Sequence, residues 1–272
     1  MSAINNVEPI SADISLPIVS AKEPATSLVF EDLEEKYETY LDKLQVTIFR
    51  LDGHGFSKLT SNFKKPFDDG FTRAMKQTAL KAFEYYKFSL GFVGSDEITF
   101  CIFPKETKNG DISDIEFSGR LEKMTTLLAG FVSVVFYKEF SKEYPMETFT
   151  PHFDCRVYQV PSIKDALANI GERITYTLKN SRMMFAQSHF SAKQLHKLSS
   201  NKAIELVLDE KAIDYYQVVS PDNRVGSVIL TKRVDCDKEV IIGGVAKIFR
   251  FKRNVVQFVN LSSTEVLDLT WE

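Results

Sequence analysis

The sequence predicts an α+β fold built on an antiparallel sheet with the ferredoxin-like order βαββαβ, with helices on one face and a smaller C-terminal helical/β lobe. Short β-branched and apolar runs alternate with longer segments of helical period, and a hairpin connection at 94–97 joins two of the runs. The chain has 272 residues, 44% of them hydrophobic, which is enough for one sizeable domain or for a core with a smaller lobe.

The first strand is predicted at 46–51, where the chain is β-branched and apolar, and Asp52 with Gly53 ends it with a turn signal. Residues 67–86 then carry apolar side chains at helical spacing and acids such as Asp68 at their start, which predicts a helix. A carboxylate, Asp52, is therefore expected at the end of the first strand.

A hairpin follows this helix. Residues 88–93 and 98–103 each read as a strand, and the connection between them holds Ser95, Asp96 and Glu97. A second carboxylate, that of Asp96, is therefore expected at a hairpin tip.

Two more elements complete the order βαββαβ. Residues 117–137 repeat apolar side chains at helical spacing, and 153–160 alternate like a strand. This order lets the first strand and the central hairpin lie side by side, with Asp52 and Asp96 at one end. Nucleotidyl transfer uses such a pair to hold two divalent ions about 3.5 to 4 Å apart. Carboxylate oxygens and the lack of a Cys/His cluster favour Mg²⁺.

Each of these signals also has an ordinary structural explanation. Asp-Gly after a strand is usually a turn, and Ser-Asp-Glu in a hairpin is usually a solvated tip. The spacing alone leaves a metal site and a pair of plain turns both open.

Five motifs follow one another along the chain: Arg50-Leu51-Asp52-Gly53-x-x-Phe56, Lys65-Pro66-x-Asp68, Ser95-Asp96-Glu97, Arg120-x-x-Lys123 and Phe153-Asp154-x-Arg156-Val157. Together they resemble the tRNA(His) guanylyltransferase family of reverse, 3′-to-5′ polymerases, over residues 33–234. The second and fifth motifs are closer to the bacterial-type branch, which adds nucleotides opposite a template and does not depend on tRNA(His).

The resemblance implies a polymerase-palm-like domain that adds nucleotides to the 5′ end of tRNA or a tRNA-like RNA, as in tRNA 5′-end repair or editing. It implies that ATP or GTP first activates the RNA 5′-monophosphate, and that the 3′-hydroxyl of an incoming nucleoside triphosphate then attacks the activated end. Two Mg²⁺ ions are the implied cofactors, tRNA and nucleoside triphosphates the implied partners, and a homo-tetramer the implied assembly.

The resemblance also implies the residues of the site. Asp52, Asp96 and Glu97 would be catalytic. Asp52 and Asp96 would bind both metal ions, the carbonyl of Gly53 would bind one, and Glu97 would support the site. The implied nucleotide-binding residues are Asp52, Gly53, His54, Gly55, Phe56, Ser57, Lys65, Ser95, Asp96, Arg120 and Lys123.

The chain departs from the family pattern in two places. His54 stands where relatives carry Arg, Lys or a similar residue, which would make a phosphate contact there pH-dependent because imidazole titrates near pH ~6.5. In the region that handles the tRNA end in relatives, only Arg173 and Asn180 match, while Tyr176 and Ser181 replace an aspartate and an asparagine. Arg173 and Asn180 are therefore the implied RNA-binding residues, and the choice of RNA stays open.

The charge of the chain is uneven. The formal net charge is -3, yet residues 1–47 hold nine acids and three bases, whereas 224–253 hold eight bases and three acids. The C-terminal bases offer a face for RNA or simply solvate a surface.

Four regions are expected: a flexible leader at 1–27, a palm-like catalytic domain at 28–160, a helical/β lobe contacting the RNA end at 161–235, and a C-terminal β extension at 236–272. A short acidic helix is predicted at 31–44 inside the second region. Short strands are predicted at 204–208 and 228–230, and a terminal hairpin at 240–261.

Three scattered cysteines, an odd number without a Cys-x-x-Cys pair, favour a reducing compartment. No apolar run approaches the roughly 18 residues of a membrane span, and the N-terminus lacks a targeting pattern. We therefore expect no membrane partner and a cytoplasmic location, with an organelle not excluded.

Two other function classes stay open. The same palm would serve a nucleotidyl cyclase or a forward polymerase, and a chain with a diverged RNA region would serve as an RNA-binding pseudoenzyme. The acids Asp52, Asp96 and Glu97 favour an enzyme, because clustered carboxylates repel one another and are costly to keep without cations.

Overall fold

The computed structural model describes residues 30–145, 149–242 and 245–270, so the expected leader at 1–27 lies outside the described residues. The chain divides into two units, Met1–Glu38 and Thr39–Glu272. In the first unit, α1 spans only Phe30–Glu35, so the helix predicted at 31–44 is wrong in length. Its first turn is acidic and its last turn has no base, which leaves the C-terminal end of the helix dipole uncompensated.

The second unit contains a six-stranded antiparallel sheet in the order β4-β1-β3-β2-β5-β6. The first four strands of that order have the ferredoxin-like arrangement predicted from the sequence. The strands are β1 Val46–Gly53, β2 Leu90–Gly94, β3 Glu97–Ile102, β4 Phe153–Val160, β5 Ser227–Ile242 and β6 Val245–Val259.

Helices cover both faces of this sheet. The helices are α2 Phe56–Leu59, α3 Asp69–Tyr86, α4 Leu121–Glu143, α5 Ile163–Gln187, α6 Ser200–Lys211, α7 Tyr215–Val218 and α8 Pro221–Val225, with short 3-10 turns at Thr60–Asn62, Glu116–Gly119 and Glu265–Asp268. Side chains alternate between the faces of a strand, so Phe49 of β1 packs with α3 and α4 while Ile48 packs with α5. The two palm helices share one face as predicted, and α5 covers the other. No helix in the described part of the chain is long and apolar enough to cross a membrane.

The start of α3 is fixed by Asp68. Its carboxylate accepts hydrogen bonds from the backbone N–H of Gly70 at 2.9 Å and of Phe71 at 3.1 Å, and another from the hydroxyl of Tyr144. Tyr144 also stacks on Phe63, with 4.6 Å between ring centroids. The end of α4 thereby holds the loop that precedes α3, which is one wall of the cleft described below.

The helix expected at 117–137 begins later than predicted, at Leu121. Phe117 and Ser118 have positive φ values of 54° each, a left-handed conformation that an α-helix does not accept. Arg120 is consequently the N-cap residue of α4, and Lys123 lies in its first turn.

The predicted strand at 204–208 is wrong, since these residues lie inside α6. A short run of Ile, Leu and Val is compatible with a strand or with a helix, and the pattern of buried side chains decides between the two. Ala203, Ile204 and Val207 bury one helical stripe against Phe185 of α5. The side-chain hydroxyl of Ser199 caps the helix by accepting from Lys202 N–H at 3.3 Å.

The separate strand at 228–230 and the terminal hairpin at 240–261 are one long hairpin instead. β5 pairs with β2 only through Ser227–Leu230, and its remaining length pairs with β6. The C-terminal bases, including Lys232, Arg233 and Arg253, lie on the part beyond β2. β5 and β6 therefore extend the same sheet that carries the palm strands.

α5 links two cores. Its first half packs Ile170 and Ile174 on the sheet, and its second half packs Phe185 and Ala186 against α6 and α7. A cleft forms where this second half faces the 56–72 segment.

Candidate active site

The two carboxylates predicted to meet do meet at one edge of the sheet. Asp52 lies at the end of β1, and Asp96 lies in the tip between β2 and β3. The backbone N–H of Gly53 donates to the carbonyl oxygen of Asp96 at 3.1 Å, which ties the two ends together. In the sheet register Asp52 stands opposite Glu97 on one side and Asp154 on the other. Acids from three strands thus form a row across this edge.

The charge of Asp52 is only partly compensated. Its pKa is raised above the ordinary value, first by burial and then by the negative charges of Asp96 and Asp154, while Arg156 and Arg50 lower it. A nearby cation would stabilise the charged form of a carboxylate in this setting. The electrostatics therefore favour cation binding between Asp52 and Asp96.

Glu97 is held by an arginine of α5. The Nε of Arg173 donates to Oε1 of Glu97 at 2.6 Å, and Nη2 donates to Oε2, so the pair is bidentate. The side chain of Glu97 is only 14% exposed and that of Arg173 only 22%. Burial raises the pKa of Glu97, and Arg173 opposes that rise. In the structure the guanidinium of Arg173 is engaged with Glu97, and its contact with RNA stays a prediction.

The carboxylates open into a cleft of about 690 Å³ between the 56–72 segment and α5. Lys65 lies in its wall and donates from Nζ to the carbonyl of Thr60 at 2.8 Å, a flexible contact that a phosphate can replace. The predicted residues that line this one cleft are Asp52, Phe56, Ser57, Lys65, Ser95, Asp96, Glu97, Arg173 and Asn180.

Arg120 and Lys123 are not brought to this cleft. Arg120 forms a backbone bridge with Tyr40, and Met124 on the next turn packs with Phe49 in the middle of β1. β3 runs antiparallel to β1 and so leads away from Asp52 toward the start of α4, and β4 begins beside Gly53 after α4 has ended. Because α4 begins at the opposite end of the sheet, Arg120 and Lys123 lie apart from the cleft of Asp52, and their nucleotide contact stays a prediction.

The Gly53–Ser57 turn places its residues unequally. Phe56 is buried with 1% exposure and packs on Phe153 at 5.0 Å between centroids, so its ring serves the core. His54 is exposed and stacks on His152 at 4.7 Å. Neither His54 nor Gly55 lines the cleft among the described residues, so their nucleotide contact stays a prediction.

Gly53→Ala should destabilise the protein, because an added Cβ would lie 2.5 Å from the buried ring of Phe56. We expect a loss of about 1 to 3 kcal/mol in the free energy of unfolding. Gly130→Ala is the matched control in the exposed middle of α4, where a Cβ meets nothing within 4 Å. It should stabilise by about 0.5 to 1 kcal/mol. Urea denaturation of both variants measures the difference, and equal effects would contradict the packing argument.

Sequence reasoning missed most of the α5 wall. Tyr176, Thr177, Met183, Met184 and Gln187 all line the cleft. Their spacing with Arg173 and Asn180 is that of one helix face, a signal present in the sequence. The sequence alone does not show that this helix face lies opposite the 56–72 segment.

The donor set of the site fits Mg²⁺. Mg²⁺ is commonly held by one or two carboxylates together with substrate phosphates and water, not by an all-protein cage. Asp52 and Asp96 supply two such carboxylates. No group of three or more His, Cys, Asp or Glu residues arranged to hold a metal occurs in the described ranges.

Two carboxylates at the edge of a βαββαβ sheet, next to a cleft lined with lysines, define a palm-type nucleotidyltransferase. The comparisons with known proteins lead from this class to a family. The family model described as tRNAHis guanylyltransferase matches residues 29–161. An uncharacterized protein of Acanthamoeba polyphaga mimivirus is 25% identical over 240 residues, which cover 80% of this chain and 82% of that protein.

Solved structures share the fold of this chain. A bacterial tRNA(His) guanylyltransferase-like protein in complex with ATP is 25% identical with a TM-score of 0.68, covering 75% of this chain and 85% of the other. A bacterial protein of the same description in complex with GTP is 22% identical with a TM-score of 0.60, over 75% and 84%. The tRNA(His) guanylyltransferase of Saccharomyces cerevisiae is 22% identical with a TM-score of 0.61, over 72% and 90%.

The chain carries a tRNA(His) guanylyltransferase-family domain at residues 29–161. It is accordingly a 3′-to-5′ nucleotidyltransferase that adds nucleotides to the 5′ end of tRNA. The family and the palm-like fold expected from the five motifs are confirmed.

Proposed function

We propose that the cleft beside Asp52 carries the reaction with two Mg²⁺ ions, and that its RNA is a tRNA or tRNA-like molecule with an incomplete 5′ end. The observation that carries the proposal is the tie between the β1 end and the β2–β3 tip, which holds Asp52 and Asp96 together in a setting that raises the pKa of Asp52. Two neighbouring carboxylates that repel each other are stabilised by cations, and the lysines of the same cleft suit phosphates.

The residues of the chain have distinct tasks in this proposal. Asp52 and Asp96 hold the ions, with the carbonyl of Gly53 as a further donor. Bound Mg²⁺ supplies charge neutralisation of the phosphates and eases deprotonation of the attacking 3′-hydroxyl. Lys65 turns from the Thr60 carbonyl to a phosphate oxygen. Ser95, at a positive φ of 55° in the hairpin tip, offers its exposed hydroxyl to the nucleotide.

The substrates follow from this arrangement. ATP or GTP transfers its nucleoside monophosphate to the RNA 5′-monophosphate and releases pyrophosphate. The 3′-hydroxyl of a nucleoside triphosphate then attacks the activated 5′ end and displaces that monophosphate, which adds the new nucleotide. The long β5–β6 hairpin supplies bases for the RNA backbone, including exposed Lys232 and Arg253.

Assembly and compartment are part of the proposal too. We expect a homo-tetramer, which light scattering of the purified protein tests. A reducing compartment, in the first instance the cytoplasm, fits the free thiols of Cys101, Cys155 and Cys236. Burial raises the pKa of Cys101 to about 12, so that thiol is unreactive.

The test of function is nucleotide addition to defined RNA. The protein is incubated with Mg²⁺, ATP, labelled nucleoside triphosphates and a tRNA lacking its first 5′ nucleotide, and both RNA ends are sequenced. We expect growth at the 5′ end that matches the opposite strand. Growth at the 3′ end would indicate a forward polymerase, and release of a cyclic nucleotide would indicate a cyclase. Binding of tRNA without any product would indicate a pseudoenzyme. Each of these three results contradicts the proposal.

A further inference from the structure

The cleft has two halves of different chemistry. Near the β1 end its lining is charged, with Asp52, Asp96, Glu97 and Arg173, and the facing 56–72 segment adds Lys64, Lys65 and Asp68. Toward the C-terminal end of α5 the lining is uncharged, with Thr72, Asn180, Ser181, Met183, Met184, Gln187 and Asn223. The charged half accounts for ions and phosphates. The uncharged half calls for a different ligand group.

Four side chains form a stripe along α5 in this cleft: Tyr176, Asn180, Met184 and Gln187. Steps of four, four and three residues keep them on one helix face, over about 16 Å at ~1.5 Å per residue. All four are exposed, Tyr176 by 51% and Met184 by 39%. An aromatic ring and a thioether thus alternate with two amides.

The two amides of the stripe are unused within the protein. In the described part of the chain, no hydrogen bond engages the side chain of Asn180 or Gln187. Neighbouring polar groups of the same half are engaged: the hydroxyl of Ser181 bonds that of Tyr215 at 2.8 Å, and Asn223 accepts from Thr72 at 2.9 Å. Asn180 and Gln187 are therefore the amides free to receive a ligand.

We propose that the uncharged half of the cleft is a nucleobase site, in which the Asn180 and Gln187 amides read the edge of one base while Tyr176 and Met184 contact its face. The proposal rests on the proposed function, because the phosphate half must bind the rest of the same substrate. An amide presents a donor and an acceptor together, which is the pattern that base edges require. Aromatic side chains stack on bases of any sequence.

Two sources supply a nucleobase next to this site: the nucleoside triphosphate and an unpaired nucleotide of the RNA end. The chemistry is the same for both, so the experiment has two arms. One arm measures dissociation constants for ATP, CTP, GTP and UTP. The other uses four RNA hairpins that differ only in a single unpaired terminal nucleotide, at fixed salt and Mg²⁺.

Gln187→Leu and Asn180→Leu keep much of the side-chain size and remove the amide. Gln217→Leu is the matched control, an exposed glutamine on α7 that does not line the cleft. In one arm we expect the native protein to prefer one base by about tenfold or more, the range of a single amide–base pair. Either cleft variant should reduce that preference to about twofold, and Gln217→Leu should leave it unchanged.

The outcomes separate this site from the proposed function. A lost preference in the triphosphate arm assigns the base to the nucleotide, and a lost preference in the RNA arm assigns it to the RNA. Equal affinity of the native protein for all members of both sets overturns the base site, and so does a preference that survives both cleft variants. Base preference without 5′ addition would instead overturn the function and leave the base site standing.

Discussion

Asp52→Asn and Asp96→Asn are each expected to reduce 5′ nucleotide addition by about 10³-fold while the fold stays intact. Asparagine keeps the shape of the side chain but removes the charge that holds a cation. Initial rates at saturating Mg²⁺ measure the loss. Asp209→Asn, an exposed acid on α6, is the control and should keep full activity. Native rates in either site variant would rule out the metal assignment.

The stability of Asp52→Asn should move in the opposite direction. Because the pKa of Asp52 is raised in the folded protein, folding loses stability as the pH rises through that pKa. At neutral pH without Mg²⁺ the variant should therefore melt at the same temperature as the native protein or higher. Added Mg²⁺ should raise the melting temperature of the native protein but not that of Asp52→Asn. An equal Mg²⁺ response in both proteins would contradict ion binding at this edge.

Arg173→Met is expected to lower the free energy of unfolding by about 3 kcal/mol, because it leaves the Glu97 carboxylate enclosed without a counter-charge. Without Arg173, burial is opposed only by the smaller effect of the Arg50 charge, so the pKa of Glu97 rises further. The loss should therefore be full near pH 8 and shrink as the pH falls through that pKa, where the neutral acid needs no partner. Urea denaturation across this pH range is the measurement.

Two variants make this result specific. Arg173→Met combined with Glu97→Gln should recover most of the stability, because no buried charge remains. Arg156→Met removes an exposed partner of Asp154, 3.3 Å away, and should cost less than about 1 kcal/mol. If Arg173 served only RNA, Arg173→Met would weaken RNA binding and leave the unfolding curve unchanged.

Local chemistry accounts for what sequence reasoning predicted correctly. The β-branched run before Asp52 and the short tip around Asp96 carry their own strand and turn signals, so both carboxylates could be placed at element ends. Asp68 likewise signals a helix start through its backbone caps. A short apolar run without a turn signal, such as 204–208, lacked this information, and burial against Phe185 made it a helix.

By itself the sequence determined the element order, and with it the meeting of Asp52 and Asp96, because neighbouring strands in a βαββαβ unit bring their ends to a common edge. Only the tertiary structure decided which side chains face that edge. Arg173 reaches Glu97 across 76 residues, and α4 begins at the far end of the sheet, which removes Arg120 from the cleft. The spacing of apolar residues along a segment determines which face of a helix or strand is buried. Which other element covers that face depends on how distant parts of the chain pack.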